Sequence, residues 1–293
     1  MADPLPLCYL NGEFLPLREA RISPLDRGFL YADGVYEVMP VFAGRPFRFV
    51  QHFARLDRSL AAIRMDSPHT RGEWAAVIEQ LVRRNGGGDQ YVYLQVTRGA
   101  EYGRNHAPLP VVPRTVFAFC APLPVPSAAQ LRDGLACVTA ADIRWAHCDI
   151  KSVSLLGNVL LRQLAVDADA QETILLRDGW LTDASASTVH VIKDGSVITP
   201  PDSQWILPGT TRTVVEQLAA AAGIASETRP VRDSELRAAD EIWLAAATRD
   251  VSSVTRLDGR PVGSGRPGPL WQQMRHAFQN LRESLRDVPW QNP

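Results

Sequence analysis

Three prolines at alternating positions, Pro122, Pro124 and Pro126, constrain the fold of this chain more than any other local feature. A proline has no backbone N–H to give to a ladder and is excluded from the interior of a sheet, so the strand expected over Thr115–Ala121 must end there. The stretch reads as the start of an interdomain linker over residues 122–133. It separates a small N-terminal α/β domain, residues 1–121, from a large C-terminal domain, residues 134–293. The 293 residues, 45% of them apolar, suffice for one large core or two modest ones, and two domains are the expectation.

On the N-terminal side, residues 8–14 and 45–50 alternate as short strands around turns at Asn11-Gly12 and Ala43-Gly44-Arg45, and Gly34–Val38 reads as another strand. Apolar residues at helical spacing predict helices over His52–Ile63 and Trp74–Val82, the second ended by Gly86-Gly87-Gly88. Tyr91–Thr97 reads as a buried strand. Beyond the linker, strands are expected at Leu135–Ala140, Glu172–Arg177, Thr188–Ile192 and Glu241–Ala245, with helices at Leu155–Val166, Arg212–Ala222 and Leu270–Leu285. This mixture implies an α/β (α+β) architecture without the regular alternation of a doubly wound sheet. Neither GxGxxG nor GxxxxGK[ST] occurs, so dinucleotide and P-loop chemistry have no support.

A formal net charge of -1 argues against a nucleic-acid partner, whose phosphates call for a basic surface. No apolar run is long enough to span a bilayer, and the first ten residues lack a basic region followed by an apolar stretch. A soluble cytoplasmic protein with no membrane partner is the expectation. Cys8, Cys120, Cys137 and Cys148 form no CxxC pair, and the six histidines are scattered, so free thiols and no metal are expected.

Of 31 basic residues all but two are arginine, the exceptions being Lys151 and Lys193. Arginine stays protonated, whereas a lysine amine can lose its proton and attack a carbonyl to form a Schiff base. Lys193, in Ile192-Lys193-Asp194-Gly195, reads as an exposed hairpin turn. Lys151, in Cys148-Asp149-Ile150-Lys151-Ser152, stands where a short polar segment meets an apolar run and is the candidate for chemistry. Three further segments offer weaker signals. In Ile206-Leu207-Pro208-Gly209-Thr210-Thr211-Arg212 a turn feeds a helix starting near Thr211, either an ordinary threonine cap or an anion site. Asp183 lies in a run of short polar residues that reads as a turn. Arg104 and His106 lie on a loop after a strand, either solvated or able to hold a carboxylate.

Together, Asp26-Arg27-Gly28-Phe29, Asp33-Gly34-Val35-Tyr36-Glu37, Asp149-Ile150-Lys151-Ser152 with Leu155-Leu156-Gly157-Asn158, Ile206–Arg212 and Ala239-Asp240-Glu241-Ile242-Trp243 resemble the fold-type IV (class IV) aminotransferases, which use pyridoxal 5'-phosphate. The resemblance runs in order from about Tyr9 to about Met274. Arg104-Asn105-His106 after Val96-Thr97-Arg98-Gly99, with Tyr36, is most similar to the D-amino-acid aminotransferase branch.

The resemblance implies two α/β domains joined by a short linker and a role for each matching residue. Lys151 would carry the cofactor as a Schiff base and then act as base and acid on the substrate Cα. Arg55, Thr210 and Thr211 would hold the phosphate, with Ala247 and Thr248 beside them. Leu207 would pack on the ring face, and Glu172 and Tyr93 would sit near the lysine and orient it. Tyr36, Arg104 and His106 would bind the substrate carboxylate, the Arg104 loop coming from the partner subunit of a homodimer. Two departures stand out. Asp183 occupies the place where relatives put a glutamate against the pyridine nitrogen, and Ala245-Ala246-Ala247-Thr248-Arg249 stands where relatives usually offer hydroxyls to the phosphate. The activity implied is amino transfer between D-amino acids and 2-oxo acids. Branched-chain L-amino-acid or (R)-amine transamination, or aminodeoxychorismate lyase chemistry, shares the same fold.

Overall fold

The computed structural model describes residues 3–286. The described residues divide into two compact units: one contains residues 3–124, the short segment Ile150–Ser154 and residues 282–286, and the other contains Val125–Asp149 and Leu155–Leu281. Lys151 therefore belongs with the first unit although it follows the proline stretch in sequence.

The first unit holds β1 (Leu7–Leu10), β2 (Glu13–Pro16), α1 (Arg27–Tyr31), β3 (Gly34–Phe42), β4 (Arg45–Pro46), α2 (Phe49–Ala62), α3 (Arg71–Arg84), β5 (Gln90–Thr97) and β6 (Thr115–Pro122). Its strands form one antiparallel sheet in the order β2-β1-β6-β5-β3-β4. Period-two alternation sets which face is buried: Val35 and Met39 of β3 join Val92, Leu94 and Val96 of β5 under Leu56, Leu60, Ile78 and Leu81 of the two long helices. The strand expected over 45–50 is cut to two residues. Phe49, Phe53, Leu56 and Leu60 recur at helical spacing and are all buried, so helix α2 starts earlier than the pattern at His52 suggests.

The second unit holds α4 (Ala128–Asp133), β7 (Leu135–Ala141), α5 (Leu156–Asp167), β8 (Glu172–Arg177), β9 (Trp180–Ala184), β10 (Thr188–Lys193), β11 (Ser196–Thr199), α6 (Thr210–Ala221), β12 (Ser226–Thr228), α7 (Asp233–Arg237), β13 (Glu241–Ala246), β14 (Asp250–Leu257), β15 (Arg260–Pro261) and most of α8 (Pro269–Ser284). The sheet order is β12-β11-β10-β13-β14-β7-β8-β9, with β15 beside β14. It is mixed: β14, β7 and β8 run parallel, and β8 and β9 pair antiparallel. Part of the segment expected as linker is helical, because Ser127 and Gln130 make a reciprocal capping box that starts α4. Asp183 lies in strand β9, not in a turn, and Lys193 ends β10 at an exposed hairpin where it pairs with Asp240 at 3.1 Å.

Candidate active site

In the first unit, Lys151 is fixed by backbone pairing along the start of β3. The Tyr36 amide donates to the Lys151 carbonyl (2.9 Å), the Val153 amide donates to the Gly34 carbonyl (3.0 Å), and the Lys151 amide donates to Ser59 Oγ on α2 (3.1 Å). The segment 150–154 thus lies against the strand as a short added rung, with Val35 opposite Ser152. The Lys151 Nζ stands 4.2 Å from the centre of the Tyr36 ring. Tyr36 stacks on Tyr93 (5.6 Å), a diagonal cross-strand pair, and Tyr93 stacks in turn on Phe119 (5.1 Å). The Tyr93 hydroxyl donates to Gln95 Oε1 at 2.7 Å. Burial pushes the Tyr93 phenol well above its ordinary value.

Glu37 points to the opposite face of β3 and is buried. Arg55 Nε and Nη2 donate to its two oxygens, each at 2.8 Å, and His52 Nδ1 lies 2.7 Å from Oε2. Burial alone would raise this carboxyl, but Arg55 and His52 outweigh it and hold Glu37 well below the usual carboxylate range. The fork of Arg55 is therefore committed on one side to Glu37.

The loop carrying Arg104 and His106 is gripped by a residue to which the sequence reading gave no role. Arg27, buried at the start of α1, donates through Nε to Asp33 (2.8 Å), through Nη1 to Glu101 and the Asn105 carbonyl (2.6 Å), and through Nη2 to the His106 carbonyl (2.9 Å). Its guanidinium also lies over the Tyr31 ring at 4.6 Å. Gly99 starts this loop at φ 98°, and a Cβ there would strike the Pro113 carbonyl oxygen at 1.9 Å. Arg104 and His106 are both exposed, and they gather around Tyr31: Arg104 sits 5.2 Å from its ring centre, and the His106 ring lies 5.5 Å away. Within this chain the loop thus packs on Tyr31, whereas Tyr36 packs on Tyr93 and Lys151. The i, i+4 spacing of Arg27 and Tyr31 was the available signal.

In the second unit, Asp183 is 5% exposed. Its Oδ2 accepts from Arg144 Nη1 (3.2 Å) and, more weakly, from the Leu207 amide (3.4 Å), while Oδ1 is buried without a hydrogen-bond partner. Burial outweighs the ion pair with Arg144 and pushes the Asp183 carboxyl up to about 6. Glu172 is fully buried and accepts from Ser185 Oγ, Ser187 Oγ (3.3 Å) and the Thr173 amide (3.1 Å), with Arg249 Nη1 at 3.5 Å. Arg144 and Arg249 were not distinguished among the many arginines of the sequence.

Thr210 and Thr211 open α6 and are both buried. The cap position is Gly209, so the helix does not begin on a threonine cap, and a Cβ at Gly209 would meet Thr188 Oγ1 at 2.7 Å. First-turn amides at such an end have no helix carbonyl to bond. Ala247 and Thr248 lie in the hairpin between β13 and β14. All four cysteines are free and buried, no group of three or more His, Cys, Asp or Glu side chains suited to a metal occurs among the described residues, and no described helix is long and apolar enough to cross a membrane.

Each unit taken by itself carries groups suited to a cofactor of the pyridoxal type: the first a lysine amine beside an aromatic stack, the second a buried carboxylate oxygen lacking a donor and a glycine-started helix. Residues 34–257 match the amino-transferase class IV family. The chain is 38% identical over 280 residues to the D-alanine aminotransferase of Bacillus licheniformis, covering 95% of this chain and 98% of that one, and 36% identical over 277 residues to that of Staphylococcus haemolyticus, covering 94% and 98%. Among solved structures it is similar to a T.th. branched-chain amino acid aminotransferase with pyridoxamine 5'-phosphate, at a TM-score of 0.90 and 26% identity, covering 97% of this chain and 96% of that one. The chain belongs to the class IV aminotransferases.

Proposed function

We propose that this protein is a pyridoxal 5'-phosphate-dependent transaminase that moves an amino group between D-amino acids and 2-oxo acids in two successive half-reactions, with Lys151 as its catalytic residue. The observation that carries the reading is the setting of Lys151, one of two lysines, whose segment is held by two main-chain hydrogen bonds to the start of β3 and one from the Lys151 amide to Ser59 Oγ on α2, with its Nζ over the Tyr36 ring that stacks on Tyr93. Kinship with D-alanine aminotransferases at 35–38% identity over nearly the full chain supports the D-amino-acid branch over the branched-chain one, whose solved members are 22–26% identical.

When bound, the cofactor supplies an electron sink for the pair of electrons left at the substrate Cα. The chain's own residues do the rest. Lys151 Nζ would take the proton from Cα and deliver it to the cofactor carbon on the other side of the transferred nitrogen, for which it must be neutral when it accepts the proton. The stack of Tyr36 on Tyr93 limits where that amine can swing. Asp183 Oδ1 would accept from a protonated ring nitrogen, and Glu172 keeps Ser185, Ser187 and Arg249 in one cluster. By the family resemblance, Arg55 in the first unit and Thr210, Thr211, Thr248 and the Ala247 backbone in the second would bind the phosphate, and Leu207 would cover the ring face. Tyr36, Arg104 and His106 hold the substrate carboxylate.

The active form is a homodimer in which the Arg104 loop serves the neighbouring protomer. Helix α5 supports a partner surface: Leu156, Val159, Leu160 and Leu164 recur along one stripe, each between 47% and 71% exposed. A cytoplasmic location is supported by the four unpaired thiols. The test is chemical. Borohydride reduction of the loaded protein followed by peptide mapping should place the cofactor on Lys151, and attachment at Lys193 or nowhere overturns the reading.

A further inference from the structure

Asp183 is one member of a buried charge network that its proposed role does not by itself require. Asp142, Arg144 and Asp183 are each less than a tenth exposed. Arg144 Nε and Nη2 donate to the two oxygens of Asp142, each at 3.0 Å, Nη2 also donates to the Trp205 carbonyl at 2.8 Å, and Nη1 reaches Asp183 Oδ2 at 3.2 Å. Asp142 is anchored independently of that guanidinium: its amide donates to the Leu176 carbonyl, and its carboxylate accepts from Thr182 Oγ1 at 2.9 Å and from the main-chain amide of Arg144 at 3.1 Å. Arg177 closes the network, lying 3.8 Å over the Trp205 ring with Nη2 donating to the Asp142 carbonyl. One guanidinium is thus shared by two carboxylates, bidentate to one and single to the other.

We infer that Arg144 is a positioning residue for Asp183: shared with Asp142, it fixes Oδ2 and keeps the buried carboxylate ionised, leaving Oδ1 as the acceptor for a cationic N–H donor. This rests on the reading of Asp183 as the ring-nitrogen partner. The two oxygens of Asp183 differ as it requires, since Oδ2 takes Arg144 and the Leu207 amide and Oδ1 takes nothing among the described residues. A full ion pair to Arg144 would cancel the charge of Asp183 and weaken it as a partner for a second cation. Asp142 prevents that by holding the greater part of the guanidinium. The charged and titratable groups facing this centre are Asp142, Arg144, Arg177 and the Cys148 thiol. Burial pushes Cys148 up to about 11, so it stays neutral and does not compete. Asp183 and Arg144 are each raised above their ordinary values, as expected when burial dominates the acid and two carboxylates outweigh burial at the base.

The arrangement makes two neighbours of Asp183 act in opposite directions, which a purely structural role would not do. The full chain labelled with 13C at aspartate carboxyls, cleared of cofactor, reports the Asp183 titration by NMR, assigned by its loss in Asp183→Asn. Arg144→Gln should move the midpoint up by about one pH unit or more, and Asp142→Asn should move it down. Arg144→Lys, which keeps the charge, should fall closer to the unmodified protein than Arg144→Gln. Movement in the same direction in both variants, or no movement in Asp142→Asn, overturns the inference. If Arg144→Gln does not fold, Asp142→Asn and Arg144→Lys still decide it. Loading with pyridoxal 5'-phosphate tests the underlying reading separately. A lowered Asp183 midpoint supports both, and an unchanged midpoint overturns the ring-nitrogen assignment while the variants still judge the clamp.

Discussion

The Lys151 Nζ lies 4.2 Å from the centre of the Tyr36 ring, and the same two residues are joined through the backbone, where the Tyr36 amide donates to the Lys151 carbonyl. A side-chain contact and a main-chain bond between one pair fix both the root and the tip of the lysine. Cation–π contact of this kind is worth about 0.5–1 kcal/mol where exposed and about 2 where desolvated, enough to bias a rotamer without immobilising it. A group that must carry a proton between two carbons on either side of one nitrogen needs that combination.

Replacing Lys151 by alanine should abolish transamination and the absorbance change that accompanies cofactor attachment. Lys193→Ala should leave both intact, because Lys193 is an exposed hairpin residue paired with Asp240. Spectra and steady-state rates of the two variants, compared side by side, check this.

Glu37→Gln should lower the unfolding free energy by about 3–5 kcal/mol, because it strips a buried partner from Arg55 and His52. The folded protein holds the Glu37 carboxyl below its ordinary value of 4.5, so its contribution is fully present above that value and is lost as pH falls. Urea unfolding at pH 7 and at pH 4 measures this, and the gap between the unmodified protein and Glu37→Gln should narrow at the lower pH.

Asp183→Asn should retain cofactor but slow Cα proton removal by roughly a hundredfold, since a neutral amide cannot hold a protonated ring nitrogen comparably. Asp183→Glu should be tolerated. With the free carboxyl at about 6, the affinity of the cofactor-free protein for pyridoxal 5'-phosphate should fall as pH drops through that region, and Asp183→Asn should lose this component. Titrations of both proteins over the same pH range make the comparison, and identical profiles would remove Asp183 from the role.

Arg104→Ala should raise KM for D-amino acids about ten- to a hundredfold, the loss of one charge-assisted hydrogen bond worth roughly 1.5–3 kcal/mol. An (R)-amine has no carboxylate and should be affected less. Steady-state kinetics with both substrate types separates loss of this contact from a general loss of activity.

The sequence made some of this legible and hid the rest for identifiable reasons. Lys151 stands out because lysine is almost absent, and β5 and α3 are readable because Val92, Leu94 and Val96 alternate while Trp74, Ile78 and Leu81 repeat at helical spacing. Residues 47–50 misled because the turn at Ala43-Gly44 predicts a return strand, whereas Phe49 already belongs to the buried stripe of α2. Asp183 resembled a turn residue because the run of short polar residues from Thr182 to Thr188 begins inside β9, where Thr182 is satisfied by Asp142, a partner distant in sequence. Arg27 and Arg144 were invisible for a related reason. Arginine is the commonplace cation of this chain, and what sets these two apart is burial among carboxylates brought in by the fold, Glu101 for one and Asp183 for the other.

The central claim is amino transfer from D-amino acids, and a single half-reaction tests it most directly. Cofactor-loaded protein is mixed with D-alanine alone, then with L-alanine alone, and the change in cofactor absorbance is followed with pyruvate release in one turnover. Complete conversion with one pyruvate per site is predicted for D-alanine, and little for L-alanine. Faster conversion with L-alanine, or with L-leucine, than with any D-amino acid would contradict it.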